Sequence, residues 1–260
     1  MPLKSSTSPA TPSTVPMKPT PTSPETGGLL VFGAHPDDIE FGCGAVVARE
    51  TAAGVRAHFV VCSRGESGTH GAPEQRVAEA TAAAKLLGAS VEFVDLGGDA
   101  HLEYGVAQSL VLAAIVRRVR PRIVLSPTVV EAQHPDHAVV GRLVRDAARL
   151  ARYGGVAELQ ALPAHAIDVL LQYAVTPDGE PAGIAPVLID VSEKPVRDAW
   201  VAAMEAHASQ MKTRNYIELQ LTRARLNGLR AGAEHAIALF PAEPLVFDSL
   251  QSLRRSARRF

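Results

Sequence analysis

Cysteine is scarce in this chain of 260 residues, which contains only Cys43 and Cys62. Two cysteines cannot build the disulfide framework of a small secreted domain, and their spacing matches no zinc knuckle. Free cysteine is among the most frequently buried residues, so we expect both thiols to lie in the core. The cysteines therefore indicate neither a disulfide-rich fold nor a cysteine-ligated zinc site.

An excess of one charge sign is also absent. Lysine and arginine number 26 and the acidic residues 27, which gives a formal net charge of −1. This balance favours neither nucleic acid nor an anionic membrane as a partner. No stretch approaches the roughly 18 uninterrupted apolar residues of a membrane span, and the apolar segment of a secretory signal is missing. We therefore expect a cytoplasmic protein that acts on a small molecule.

Large apolar side chains are nearly missing from Met1–Gly27, which contains seven prolines and many serines and threonines. Such a segment cannot bury enough apolar surface to fold, so we predict a disordered tail. The rest of the chain has an ordinary globular composition and is long enough for a sizeable core. We expect a single domain over residues 28–250 and a basic C-terminal end over residues 251–260.

From Leu29 to about Tyr153, short β-branched runs alternate with longer helical stretches. This pattern predicts repeated βαβ units around a parallel sheet. The expected strands are Leu29–Phe32, Ala57–Cys62, Ser90–Val94 and Arg122–Ser126. The expected helices are Glu40–Ala53, Pro73–Leu87, Val106–Arg120 and Asp136–Arg152.

The pattern changes after Gly154-Gly155. Two further strands are predicted at Ala166–Val175 and Pro186–Val191, then a long helical region from Glu193 to about Leu229 and an apolar run near His235–Phe240. We therefore predict an α/β fold with a mostly parallel sheet flanked by helices and a smaller C-terminal α+β portion.

Two clusters of polar residues follow predicted strands. The first is Gly33-Ala34-His35-Pro36-Asp37-Asp38-Ile39-Glu40, and the second, about a hundred residues later, is His134-Pro135-Asp136-His137. Parallel sheets place ligands at the carboxyl ends of their strands, so the two clusters are expected to meet. Imidazole and carboxylate groups are ligands for a hard-to-borderline metal ion, and the remaining carboxylates can move protons. Together the clusters predict a metal-assisted hydrolase.

The local geometry suggests how the roles divide. Pro36 restricts the residue before it, so that His35 and Asp38 can converge while Asp37 points elsewhere. One carboxylate is better used as a ligand and the other as a general base, with His137 completing a two-histidine, one-carboxylate set. Taken singly, each cluster has a simpler interpretation, as a helix N-cap or a loop histidine.

The pattern Ala34-His35-Pro36-Asp37-Asp38-x-Glu40, followed by His134-Pro135-Asp136-His137, resembles the zinc-dependent LmbE-like, or PIG-L-like, N-acetylglucosamine deacetylases. The resemblance runs from Leu29 to about Leu250 and includes Arg64-Gly65-Glu66-Ser67-Gly68-Thr69 and Arg76-x-x-Glu79-Ala80. Within that family the chain is most similar to the deacetylases of bacillithiol biosynthesis, which act on N-acetylglucosaminyl-malate.

The resemblance implies a Rossmann-like fold and a set of catalytic roles. His35, Asp38 and His137 would be the zinc ligands, with another divalent first-row metal as an alternative ion. Asp37 would be the general base, and His134 the electrostatic or acid partner of the oxyanion. Asp136 would tune the histidine pair.

The substrate contacts that the resemblance implies are Arg76 and Asp99, which would bind sugar hydroxyls. Arg76 has a simpler alternative, an ion pair with Glu79 or Glu74 on an exposed helix face. Arg64 would meet an anionic aglycone, unless it is a solvated loop arginine.

The chain departs from the bacillithiol-type pattern near its end, where relatives often carry Tyr-Ala-Glu and this sequence reads His235-Ala236-Ile237. His235 is either a substituted pocket residue or a satisfied histidine of the core or an edge strand. The departure bears on the aglycone, and therefore on the malate assignment.

Two other classes of function compete with a deacetylase. A nucleotide-binding module would need glycines in the turn after the first strand, whereas Asp37 and Asp38 would repel a pyrophosphate. A metal-free sugar-binding protein would normally have lost a ligand or the base. An amidase that acts on another N-acyl amino-sugar conjugate would use the same groups. A homo-oligomer is compatible with the sequence.

Overall fold

The fold is described from a computed structural model, which covers residues 27–212, 214–253 and 255–257. The predicted disordered tail, apart from Gly27, lies outside the described residues. The same holds for Arg254 and residues 258–260 of the basic C-terminal end. None of the helices in the described ranges is long and apolar enough to cross a membrane.

Seven strands form one sheet in the order β3-β2-β1-β4-β5-β7-β6. In chain order they are β1 (Leu29–Gly33), β2 (Ala57–Val61), β3 (Ala89–Phe93), β4 (Ile123–Pro127), β5 (Val169–Tyr173), β6 (Val187–Asp190) and β7 (Ala236–Pro241). Strands β1 to β5 pair in parallel, whereas β7 runs antiparallel to β5 and β6. The predicted mostly parallel sheet is confirmed, and the C-terminal strands extend its edge.

Within the described residues, six helices cover the two faces of the sheet. They are α1 (Asp38–Ala52), α2 (Pro73–Leu86), α3 (Val106–Val119), α4 (Pro135–Arg152), α5 (Lys194–Glu205) and α6 (Tyr216–Ala231). Within β1, Leu29 and Val31 pack with α1, α2 and α5, while Leu30 and Phe32 pack with α3 and α4. This period of two explains why a strand buried on both faces reads as a continuous apolar run. Both cysteines are buried, as expected.

The helical region predicted from Glu193 to Leu229 is divided in the structure. Helix α5 ends at Glu205, a 3-10 turn spans Ala208–Lys212, and α6 begins at Tyr216. His207, two residues after the end of α5, is buried, and its Nε2 lies 3.4 Å from Glu40 Oε2. The Asn215 side chain then caps α6 by accepting a hydrogen bond of 3.0 Å from Glu218 N. Since Asn is a strong N-cap residue, the start of α6 has a local cause.

The order of the strands creates a crevice beside β1. The chain passes from β1 to β2 and β3 on one side, and then crosses to β4 on the other side of β1. The loops that leave β1 and β4 therefore diverge at their carboxyl ends, which is where open α/β sheets bind ligands. Both histidine clusters lie on these two loops.

Helix α1 packs unusually close to its neighbours. The Tyr173 hydroxyl donates a hydrogen bond of 2.7 Å to Phe32 O, and Trp200 Nε1 donates one of 2.7 Å to Glu40 O. A Cβ atom on Gly42 would lie 2.2 Å from Tyr173 Cδ2. Because Gly42 has no side chain, α1 can lie close to the sheet. This close approach sets the position of the residues in the first turn of α1.

We predict that Gly42→Ala lowers the free energy of unfolding by about 1–3 kcal/mol, because the added methyl group overpacks a rigid contact. Gly154→Ala is the matched control, since no atom lies within 4 Å of its Cβ position. Both variants are compared with the parent protein by urea denaturation. Equal midpoints for the two variants would contradict this account of α1 packing.

Candidate active site

Asp38 is the most constrained group of the first cluster. Its Oδ2 accepts hydrogen bonds of 2.9 Å from both Ala34 N and His35 N, so the loop after β1 folds around the carboxylate. Its Oδ1 remains available and lies 3.0 Å from His137 Nε2, on the first turn of α4. Burial alone would raise the pKa of Asp38, but the imidazoles of His137 and His35 outweigh it and hold the pKa well below its usual value.

The donor atoms of His35, Asp38 and His137 converge in a geometry that fits a metal ion. His35 Nδ1 lies 3.5 Å from Asp38 Oδ2, and all three side chains are buried. A tetrahedral zinc ion with ligands at about 2.0–2.1 Å holds neighbouring donor atoms about 3.3 Å apart. Each imidazole nitrogen therefore lies at nearly this separation from an oxygen of Asp38, and the three donor atoms all lie within 4.8 Å of one another.

The other nitrogen of His35 faces two carboxylates. Its Nε2 lies 3.1 Å from Asp136 Oδ2 and 3.1 Å from Asp99 Oδ1. Carboxylates in this position take the proton of a ligating imidazole, which fixes the tautomer and leaves Nδ1 free for the metal. His35, Asp99, His134 and Asp136 also form a cluster with metal-ligating spacing. We do not interpret this second cluster as a separate metal site. His35 contributes its proton-bearing nitrogen to the cluster, which therefore orients His35 for the first site.

A loop with three positive φ angles brings Asp99 to this position. Gly97, Gly98 and Ala100 all have positive φ angles, of 120°, 89° and 64°. Ala100 N then donates a hydrogen bond of 2.8 Å to Asp136 Oδ2, which joins the loop to the second cluster. The hydrogen bond from His35 is the largest of the effects that lower the pKa of Asp99.

Asp37 has a backbone conformation that non-glycine residues rarely adopt, with φ 120° and ψ −27°. Strain of this kind costs on the order of 1–3 kcal/mol and is concentrated at functional sites. Burial and the neighbouring Asp38 charge raise the pKa of Asp37 to about 6, while the Arg76 guanidinium partly opposes them. The carboxylate is therefore poised to exchange a proton near neutral pH.

Arg76 lies beneath Asp37 and is buried. Its Nη2 donates to Pro36 O at 2.9 Å and lies 3.3 Å from Asp37 Oδ2, while its Nη1 donates to Gly65 O at 3.2 Å. The alternative of an ion pair on an exposed helix face is therefore wrong. Glu79 instead accepts hydrogen bonds from Ser209 N and Oγ, at 3.0 and 2.6 Å.

His134 caps the amino terminus of α4. Its Nδ1 accepts a hydrogen bond of 3.2 Å from Asp136 N. A neutral ring in this position carries its proton on Nε2. Burial, followed by the charges of His35 and His137, lowers the pKa of His134. The residue is therefore a neutral hydrogen-bond donor near pH 7.

These groups line one cavity of about 440 Å³. Its lining includes His35, Asp37, Asp38, Arg76, Asp99, His134 and His137. The sequence motifs did not reveal six further lining residues, which are Gln133, Thr176, Asp178, Gln210, Arg214 and Tyr216. No local pattern marks these residues, because they come from three separate segments.

The cavity lining does not include three residues singled out in the sequence, which are Asp136, Arg64 and His235. Arg64 is exposed on the loop after β2, so its contact with an anionic aglycone stays a prediction. His235 precedes β7, with its Nδ1 3.0 Å from Arg197 Nη1. This favours the interpretation of His235 as a satisfied histidine at the edge of the fold.

The site residues lie within a segment that matches a known family. A family model described as "PIG-L: GlcNAc-PI de-N-acetylase" matches residues 30–148, which include both histidine clusters. Among solved structures, the chain is similar to the conserved protein TT1542 from Thermus thermophilus. The two share 31% identity and a TM-score of 0.74 over 87% of this chain and 99% of that one.

Two curated relatives carry different activities. The chain is 26% identical over 289 residues to 1D-myo-inositol 2-acetamido-2-deoxy-alpha-D-glucopyranoside deacetylase of Rhodococcus opacus, covering 88% of this chain and 92% of that protein. It is 33% identical over 138 residues to 4-oxalmesaconate hydratase of Pseudomonas putida, covering 48% of this chain and 53% of that protein. The chain spans about half the length, or less, of several curated relatives that it matches.

We predict that Asp38→Ala and His137→Ala both lower the bound metal after reconstitution with zinc, because each removes one of three converging donors. Asp178→Asn is the matched control, since Asp178 lines the cavity but lies outside the donor set. Metal content is measured by atomic emission after gel filtration. Full occupancy in both donor variants would show that the metal ligands lie elsewhere.

Proposed function

Because the chain belongs to the PIG-L family of deacetylases, we propose that it is a metal-dependent hydrolase that removes the acetyl group from an N-acetylglucosaminyl conjugate. The observation that carries the proposal is the convergence of His35, Asp38 and His137 beside Asp37, a carboxylate outside that donor set, in one cavity. A metal site with an open position next to a general base is the arrangement of a metallohydrolase.

We propose zinc as the metal, held by His35 Nδ1, Asp38 Oδ1 and His137 Nε2. Two imidazoles and one carboxylate suit zinc, although other first-row ions accept the same donors. When bound, the ion would polarise the acetamide carbonyl and lower the pKa of a coordinated water to about 7.

Asp37 would act as the general base and then return the proton to the leaving amine. Its pKa of about 6 suits both steps near neutral pH, because such a group accepts a proton readily and also releases it. Arg76, held by two backbone carbonyls, keeps the carboxylate aimed into the cavity. Positioned proton transfer of this kind contributes roughly 10²–10⁴-fold to rate.

His134 would donate a hydrogen bond from Nε2 to the oxyanion that develops on the acetyl carbonyl. The neutral tautomer fixed by Asp136 N supports this role, since the proton already points away from the α4 backbone. A donor of this type is typically worth about 3–4 kcal/mol in acyl-transfer enzymes. Asp136 would act through the imidazole of His35, with which it shares a proton.

Asp99 and Arg76 are proposed to bind the hydroxyl groups of the sugar. Both line the cavity, and their side chains lie 3.8 Å apart at the closest atoms. N-acetylglucosaminyl-malate is the substrate we propose first, from the resemblance to the deacetylases that act on it. Another N-acyl amino-sugar conjugate, processed as a deacetylase or an amidase, is the alternative.

A hydratase is the second candidate, because the chain shares 33% identity with 4-oxalmesaconate hydratase over 138 residues. The same groups could add water to a polarised double bond. The match to the hydratase covers only 48% of this chain, whereas the similarity to the deacetylase of Rhodococcus opacus covers 88% of it. A sugar-binding protein without a metal is disfavoured by the complete donor set.

The first experiment measures acetate release from N-acetylglucosaminyl-malate and a panel of N-acetylglucosaminides, with metal-free and zinc-reloaded protein side by side. We expect turnover only with the reloaded protein, because the metal polarises the carbonyl. 4-Oxalmesaconate is included as a hydratase substrate. Hydration without acetate release would overturn the deacetylase, and zinc binding without either reaction would favour a binding role.

We further predict that Asp37→Asn retains zinc but loses at least about 100-fold in kcat, since the amide cannot accept the proton. Asn tolerates the unusual backbone conformation, so the fold should persist. Metal content and circular dichroism are measured on the same sample. Wild-type turnover in this variant would contradict the assignment of Asp37 as base.

A further inference from the structure

The turn after β2 carries side chains that the proposed chemistry does not use. Gly68 N donates a hydrogen bond of 3.1 Å to Gly65 O, which closes a turn with Glu66 and Ser67 at its centre. Arg76 Nη1 donates to the same Gly65 O at 3.2 Å. A Cβ atom on Gly68 would lie 2.7 Å from that nitrogen, and one on Gly65 would lie closer still. Two glycines therefore let the turn lie directly against the buried guanidinium.

The Glu66 carboxylate is held beside its own turn and reaches the loop after β3. Arg64 N donates to both of its oxygens, at 3.0 Å to Oε1 and 3.1 Å to Oε2. Glu66 Oε2 also accepts a hydrogen bond of 3.0 Å from Asp99 N. A hydrogen bond to an ionised carboxylate is stronger than one between neutral groups. Because Arg64 N fixes the orientation of the carboxylate, Asp99 N meets an acceptor that is already in place.

Ser67 binds the other backbone polar group of Asp99. Its Oγ donates a hydrogen bond of 2.7 Å to Asp99 O, and His101 Nδ1 lies 2.9 Å from that oxygen. The next amide of the loop, Ala100 N, donates to Asp136 Oδ2 at 2.8 Å. Adjacent side chains of one turn thus hold both the N–H and the C=O of Asp99.

The loop that carries Asp99 needs such contacts. Gly97, Gly98 and Ala100 have positive φ angles, and Ala100 is not a glycine. A conformation of this kind persists where the surrounding structure holds it. The Asp99 side chain is buried, and its Oδ1 lies 3.1 Å from His35 Nε2. A change in the backbone of this loop would therefore move the carboxylate away from the imidazole.

We propose that Glu66 is a positioning residue, which together with Ser67 fixes the backbone of Asp99 so that the Asp99 carboxylate faces His35 Nε2. The inference rests on the proposed function, because it requires that Nδ1 of the same imidazole binds the metal. Among the described residues, the cavity lining includes Asp99 but neither Glu66 nor Ser67. Glu66 therefore acts on the metal site through Asp99, which keeps the ligating imidazole in the orientation that the metal requires.

The test measures zinc affinity by competition with a chromogenic chelator. Glu66→Ala removes both acceptor oxygens, whereas Glu66→Gln keeps one of them. Asp99→Ala removes the carboxylate that Glu66 is proposed to position, and the variant with both alanines completes a double-mutant cycle. Glu103→Ala is the matched control, because it removes an exposed glutamate from the same connection, outside the cavity lining.

We expect Glu66→Ala to weaken zinc binding by about tenfold, since the loss of a group that orients a ligating histidine costs roughly 10–100-fold in metal affinity. Glu66→Gln should retain most of the affinity, and Glu103→Ala all of it. Asp99→Ala should weaken binding at least as much as Glu66→Ala, and the double variant should bind zinc as Asp99→Ala does. Unchanged affinity in Glu66→Ala, or the same loss repeated in the Asp99→Ala background, would overturn the positioning role.

Amide hydrogen exchange, followed by NMR, tests the contact itself. Exchange of the Asp99 N–H should be at least about tenfold faster in Glu66→Ala than in the wild type, because the amide loses its acceptor. The N–H of Val60, a buried residue of β2, reports any change in global stability on the same sample. Equal exchange of the Asp99 N–H in the two proteins would contradict the proposed contact.

Acetate release separates this inference from the proposed function. Acetate release by the wild type, with a zinc affinity that does not depend on Glu66, would support the deacetylase and overturn the positioning role. Zinc affinity that depends on Glu66, without acetate release from any substrate, would support the positioning role and overturn the deacetylase. A wild-type protein that binds no zinc would overturn both.

Discussion

The structure of the site depends on the placement of one carboxylate. Asp38 accepts two backbone hydrogen bonds within its own loop, which fold Ala34 and His35 around it, and presents its other oxygen to His137. A buried charge needs such partners, because desolvation without them would cost several kcal/mol. The group that orders the loop is thus also the group that joins β1 to α4, so the fold and the proposed metal site depend on the same carboxylate.

The charged groups around Asp38 contact groups of the opposite charge, and these contacts shift their pKa values. Asp99 and Asp136 hold the proton of His35, while Arg76 offsets part of the repulsion between Asp37 and Asp38. These contacts leave Asp37 with a raised pKa beside Asp38 with a lowered one. Two adjacent carboxylates thereby acquire different chemistry, a division often found where one group binds a metal and the other moves a proton.

The residues that line the cavity differ in their supports. Both histidine clusters follow β1 and β4, which are central strands of the sheet. Thr176, Gln210 and Tyr216 come from the C-terminal half, where Glu79 and Gln220 hold the neighbouring segments by side-chain hydrogen bonds. Central strands thus position the groups of the proposed reaction, while this other part of the lining comes from loops and helix ends. Variation in those segments would change specificity without disturbing the metal donors.

The sequence determined the βαβ pattern, the strand ends that carry both clusters and the conjunction of His35, Asp38 and His137, because periodicity and motif spacing are local properties. It did not determine the break between α5 and α6, since that break depends on a buried contact between His207 and Glu40. Nor could it place Arg76 under Asp37 or bring Thr176 and Arg214 into the lining of one cavity. Those arrangements join segments distant in the chain, and only the packing of helices against the sheet decides which of them meet.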